Sequence, residues 1–139
     1  MLRVKLSSLD DDNARRRRLA EIYREELAGH PCLPALRPGA EHVYRLFVVA
    51  DDARELWRER LRAEGVLTMI HYPAAVHQQP AYRGRLPVRG ELFESERAAR
   101  RVLSLPIFPE LSEADARRAA RAAARAAHGA APLSTRRAE

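Results

Sequence analysis

The chain has 139 residues, 46% of them hydrophobic, a formal net charge of +6 and a single cysteine. That length suits one domain able to bury a real core, and the composition excludes a disordered chain. No apolar run nears the roughly 18 residues of a membrane helix, and the opening MLRVKL has no apolar stretch of the signal-peptide kind, so a cytoplasmic location and no membrane partner are expected.

Cys32, the lone cysteine, has no partner for an internal disulfide and fits a reducing compartment. Lys5 is the only lysine among 25 basic residues. The many arginines lie among aspartates and glutamates on helices, where solvated, salt-bridged faces are the plain reading. Stacking aromatics and recognised nucleic-acid modules are missing, so no nucleic-acid partner is expected.

In chain order, residues 2–9 form a short mixed lead-in. Asp10 or Asp11 opens a helix, its carboxylate placed to cap free amides and oppose the dipole. Leu19, Ile22, Tyr23 and Leu27 recur at three- and four-residue spacing as one buried stripe, and Gly29 with Pro31 ends the helix. Arg15 and Arg16 fall on the inward side, where they snorkel or meet acids of a neighbouring domain. A proline-rich loop leads to residues 42–50, HVYRLFVVA, a strand apolar on both faces and therefore expected to be central. Asp52 and Glu55 resemble a capping box for a helix that buries Leu56, Trp57 and Leu61 and closes at Gly65. Residues 66–70 read as a second strand, so residues 42–70 have the strand–helix–strand order of a crossover with parallel strands.

Next comes the densest polar segment. His71, Tyr72, His77, Gln78, Gln79 and Tyr82 crowd a loop stiffened by Pro73 and Pro80, an arrangement suited to holding a polar ligand. Residues 83–91 are a polar surface excursion. Residues 94–101 form a helix running into the short strand 102–105, stopped by Pro106. Ser112 and Asp115 cap a last helix that reaches about Ala127 and ends at Gly129. Its inward face (Ala116, Ala119, Ala120, Ala123) is alanine only, so weak docking is expected. Residues 129–139 read as a frayed tail.

Three chemistries are weighed for the loop. His71 and His77 are six apart with no HxxxH or CxxC companion, so no metal site is expected. Cys32 and Ser104 lack the setting of a nucleophile, and no catalytic residue is assigned. The third is recognition of a hydroxylated or phosphorylated small molecule by His71, Tyr72 and His77. Against all three stands a plainer alternative, that Tyr72 and His71 merely satisfy buried partners where a strand leaves the core.

The chain resembles the C-terminal portion of the DegT/DnrJ/StrS family, the pyridoxal-phosphate-dependent aminotransferases of nucleotide-sugar biosynthesis. Four blocks carry the resemblance in order: LDDDNARRRRLAEIYREEL, EHVYRLFVV, GVLTMIHYPAAVHQQPAY and ERAARRVLSLPIFPELSEADARR. Three departures stand out: Ala75 in place of a second proline, Leu92-Phe93 in place of a Phe-Pro pair, and the alanine-only final helix.

The resemblance implies an α+β fold like the small C-terminal domain of a type I aminotransferase, with a small mixed or antiparallel three-stranded sheet. The strand near 102–105 is then antiparallel, between or beside the other two. It divides the chain into a lead-in from a large domain (1–9), an interdomain helix (10–29), the small domain (30–128) and the tail (129–139). It implies substrate contacts from His71, Tyr72 and His77, and further ones from Gln79 and Tyr82, to a keto-sugar on a nucleotide carrier.

The family's pyridoxal 5'-phosphate needs a lysine for its Schiff base. Lys5 matches a different position from the family's catalytic lysine, so the chain is not expected to bind the cofactor covalently or to transaminate alone. The expected partners are a missing or separately encoded large domain, a nucleotide-sugar substrate and, as in the family, a second copy. An exposed apolar patch is expected where the large domain packs. The alternative is a non-catalytic partner subunit of a complete aminotransferase. An in-frame large domain immediately upstream in the DNA favours the first reading, and an intact aminotransferase gene nearby favours the second.

Overall fold

The structure, a computed structural model, describes residues 2–30, 32–33 and 35–127. A one-turn helix α1 (Leu2–Leu6) precedes α2 (Leu9–Glu26), which begins slightly before the aspartates expected to open it. Asp10, Asp11 and Asp12 all lie in its first turn, favourably placed against the dipole, but no side chain caps it. The predicted stripe is present: Leu19, Ile22, Tyr23 and Leu27 are all buried. Gly29 takes φ +77°, the left-handed turn expected after the helix. Pro31, Gly129 and the whole tail 129–139 lie outside the described residues.

The best-looking strand is shorter than its pattern. β1 spans only Phe47–Ala50. Ahead of it, Tyr44 sits at φ +47° and donates its backbone N–H to His42 Nδ1 at 2.8 Å. That local turn bends residues 42–46 out of an extended path. In β1 Phe47 and Val49 are buried while Val48 and Ala50 are half-buried, so burial alternates and the strand is not central.

Helix α3 (Arg54–Ala63) follows. The Asp52–Glu55 capping box does not form. Asp51 Oδ1 instead accepts the Ala53 N–H at 2.6 Å, Asp52 faces Arg101 at 2.7 Å, and Glu55 pairs with Arg54 and Arg58. Trp57 and Leu61 form the buried face; Leu56, at the next angle round, is exposed. Helix α4 (Phe93–Arg101) passes directly into β2 (Val102–Leu105), and α5 (Glu113–Ala127) ends the described chain.

β1 and β2 pair antiparallel, with Phe47 opposite Leu105 and Ala50 opposite Val102. On the other side of β2, Met69 and Ser104 exchange backbone hydrogen bonds at 3.1 and 2.7 Å in an antiparallel bridge. The expected strand at 66–70 is cut to that single bridge, because the turn closing α3 extends to Val66, whose N–H donates to Leu61. β2 therefore lies between β1 and the segment at Met69, both antiparallel to it. The outer two run parallel to each other, as the split-crossover reading requires.

The helices close over this sheet. Tyr23 of α2 stacks on Phe47 with centroids 4.7 Å apart, and its hydroxyl donates to the Pro106 carbonyl at 2.7 Å. Burial raises the phenol's pKa, so it stays a donor. Arg15 is exposed, and its Nε donates to the Pro109 carbonyl at 2.7 Å. Among the described residues Arg16 bonds to Asn13 of its own helix.

Helix α5 opens on the capping pair read from sequence. Ser112 Oγ accepts the Asp115 N–H at 3.0 Å, and its hydroxyl donates to the Asp115 carboxylate at 2.7 Å. Its inward alanines, Ala116, Ala119, Ala120 and Ala123 among them, are buried, and the helix packs against α2 and α3. Alanine area does not act alone in docking it. Trp57 Nε1 donates to the Ala123 carbonyl at 3.0 Å, Glu26 accepts from Arg117 and Arg121, and Arg125 pairs with Glu64.

Candidate ligand-binding site

The polar loop leaves the sheet just past the Met69–Ser104 bridge, and its first two side chains diverge. His71 turns inward, its Nδ1 2.9 Å from Ser104 Oγ. Tyr72, across a cis peptide bond, turns out and is 68% exposed, with its ring edge-on to His71 at 5.6 Å. A single 3-10 turn, Val76–Gln78, then brings His77 Nε2 to 3.0 Å from Glu96 Oε1 on α4. The other oxygen of Glu96 lies 3.8 Å from Arg100 Nη1. Each loop histidine is thus held by one ring nitrogen to an element outside the loop.

Between this loop, the excursion at 86–89 and α4 lies a cleft of about 520 Å³. His71, Tyr72, His77 and Gln79 line it from the loop, and Ser95, Ala98 and Ala99 line it from α4. The size is within the range of about 300–1,000 Å³ usual for small-molecule sites, and a mostly apolar lining with a few convergent polar groups is their usual chemistry. A second, larger and slightly more enclosed trough of about 940 Å³ shares His71 and Tyr72 and runs past Leu67, Met69 and Phe108. Those three apolar side chains are exposed.

Four of the five residues singled out from sequence therefore meet at one cleft. Tyr82 does not line it; its backbone N–H closes a turn onto the Gln79 carbonyl and its side chain is exposed. The structure adds Glu96 and Ser104, which hold the histidines, and Arg89, which brings a cation to the cleft from the excursion. Glu96 was legible only as a helix residue, and nothing in the spacing pairs it with a histidine nineteen positions earlier. The plainer alternative is met for His71, which pairs with the buried Ser104, and not for Tyr72, which is exposed.

Among the described residues no group of three or more side chains is arranged to hold a metal ion. Cys32 is buried, and burial, with Asp51 nearby, pushes its thiol up to about 12, far from a reactive thiolate. No described helix is long and apolar enough to cross a membrane.

The fold and the cleft define a small α+β domain with a ligand-sized, polar-edged recess where a loop leaves the sheet. The chain belongs to the DegT/DnrJ/EryC1/StrS aminotransferase family, whose profile matches residues 1–123. It is 44% identical over 120 residues to the dTDP-3-amino-3,4,6-trideoxy-alpha-D-glucose transaminase of Streptomyces venezuelae, a match covering 85% of this chain and 32% of that protein. It is 37% identical over 130 residues to a UDP-N-acetyl-3-dehydro-alpha-D-glucosamine 3-aminotransferase of Acidithiobacillus ferrooxidans, covering 93% of this chain and 35% of that one.

Among solved structures it is similar to S. venezuelae DesV in complex with a ketimine intermediate, with a TM-score of 0.84 and 43% identity, covering 91% of this chain and 34% of that one. A family aminotransferase from Brucella abortus matches with a TM-score of 0.79 at 33% identity, over 91% and 34% of the two chains. The chain spans about a third of the length of the relatives it matches.

Proposed function

We propose that this chain is the small C-terminal domain of a pyridoxal-phosphate-dependent aminotransferase acting on keto-sugar nucleotides, and that its cleft holds the substrate. The observation that carries the reading is the convergence of His71, Tyr72, His77 and Gln79 on one ligand-sized cleft within a chain of this family. Relatives named for dTDP- and UDP-linked amino sugars support the substrate class. In this reading residues 1–9 lead in from the large domain, 10–29 form the interdomain helix, and 30–128 are the small domain.

The residues present do not fit the cofactor. Its aldehyde requires a lysine amine, and Lys5, the only lysine, is exposed on α1 and lines neither recess. We assign the cofactor, and with it the reaction, to a large domain outside this chain, with a dimer as the working assembly. The exposed Leu67, Met69 and Phe108 support an apolar contact with that domain. They equally support the second reading, a non-catalytic subunit seated on a complete aminotransferase.

The test has two arms. Titration with a dTDP- or UDP-linked keto-sugar is expected to perturb the resonances of His71, Tyr72 and His77; no perturbation at saturating concentration overturns substrate binding. Mixing with pyridoxal phosphate is expected to give no Schiff-base absorbance at the cleft and no amino transfer. A band abolished by Lys5→Ala, accompanied by turnover, overturns the assignment of the chemistry to another domain.

A further inference from the structure

We propose that Glu96 is a positioning residue that holds His77 as the Nε2–H tautomer and leaves Nδ1 as the acceptor offered to a ligand hydroxyl in the cleft. The inference rests on the proposed sugar-nucleotide site and goes beyond it, by naming the atom used and the residue that sets it.

The geometry is specific. His77 lines the cleft, and its Nε2 lies 3.0 Å from Glu96 Oε1. A carboxylate only accepts, so in the neutral ring the proton of this bond resides on Nε2. The hydrogen bond at one nitrogen fixes the protonation of the other. Nδ1 is then an unprotonated acceptor, and no described residue is bonded to it. Glu96 is itself steadied, for Arg100, one turn on along α4, lies 3.8 Å from its second oxygen.

The pair is also shielded, with the two side chains 17% and 31% exposed, so water competes weakly for the bond. His71 provides the contrast. Its partner is the Ser104 hydroxyl, which donates or accepts equally well, so that contact selects no tautomer. Of the two loop histidines, only His77 has a protein-determined hydrogen-bonding sense, and that sense suits a donor such as a sugar hydroxyl.

The experiment is nitrogen NMR of the full chain labelled in histidine, at a pH where the ring is neutral. The expected result is a pyrrole-type signal at His77 Nε2 and a pyridine-type signal at Nδ1. Glu96→Gln, whose amide both donates and accepts, is expected to give a mixture of tautomers while the other histidine signals stay in place. Glu96→Ala provides a second variant should the amide keep the original sense.

A dominant Nδ1–H tautomer in the parent overturns the proposal, as does an unchanged tautomer in both variants. In a parallel titration, a nucleotide keto-sugar is expected to shift Nδ1 of the parent and to bind Glu96→Gln roughly tenfold more weakly, the scale of one hydrogen bond to a charged or polarised group. Binding that leaves Nδ1 unmoved overturns the acceptor role. An absence of binding to a parent with the expected tautomer instead overturns the proposed function, so the two failures are told apart.

Discussion

His71 Nδ1 lies 2.9 Å from Ser104 Oγ, and that contact joins the polar loop to the middle of the sheet. Ser104 is 5% exposed, and its backbone is at the same time bonded to Met69, two residues before the histidine. One residue therefore sets both where the loop departs and which way its first side chain turns.

Ser104→Ala should cost about 1 kcal/mol, the net value of a neutral hydrogen bond, because the backbone bridge survives and only the hydroxyl is lost. Urea denaturation reads the stability, and the His71 side-chain signals should broaden as the ring loses its anchor. A variant with parent stability and an unaltered ring would show that the contact holds nothing.

Ala120 is fully buried on α5, where a small side chain allows close approach to its neighbours. Ala120→Leu should destabilise the chain by about 1–3 kcal/mol through overpacking. If α5 were only loosely docked, as its alanine face suggests in isolation, the larger side chain would add apolar area and raise the melting temperature. The sign of the shift decides between tight and loose packing.

The Arg117 hydrogen bond, with Arg121 nearby, holds the Glu26 carboxyl below the usual carboxylate range. A depressed folded value means the pairing stabilises fully above the unfolded value, about 4.3, and is lost as pH falls through the folded one. Glu26→Gln should therefore lower the denaturation midpoint at neutral pH, and the gap to the parent should close in acid. A gap independent of pH would assign the loss to shape rather than charge.

Cys32, with its thiol pushed up to about 12, should resist a thiol reagent at neutral pH until the chain unfolds. Labelling should therefore track urea concentration along the unfolding curve. Fast labelling of the native protein would mean that the loop around Cys32 opens on its own.

Much of this arrangement was legible in the residues. The three- and four-residue spacing of Leu19, Ile22, Tyr23 and Leu27 marks a helix face whatever it packs against, and that face is buried. Ser112 with Asp115 marks a helix start through chemistry confined to one turn, and the pair forms. The strand signals failed where distant or competing bonds decide. His42 offers the Tyr44 amide a local acceptor that bends residues 42–46, and the turn closing α3 uses up the start of the segment at 66–70.

The loop was legible as a polar cluster, and the family resemblance marked it as the expected place of substrate contact. Its internal geometry was not. Glu96 and Ser104 come to the histidines from α4 and β2 by tertiary packing, which leaves no trace in local spacing.

The placing of β2 between its two neighbours has a consequence for the order in which the chain can be completed. β1 and the segment at Met69 are both made first, yet neither touches the other in the sheet, and each finds its partner only in Val102–Leu105. During synthesis, Phe47 and Val49 must wait through some fifty residues before the strand that pairs with them leaves the ribosome. Sheet formation is thus a late, long-range step. The anchorage of His71 on Ser104 arrives at the same moment, so the polar loop takes its shape only as the domain closes.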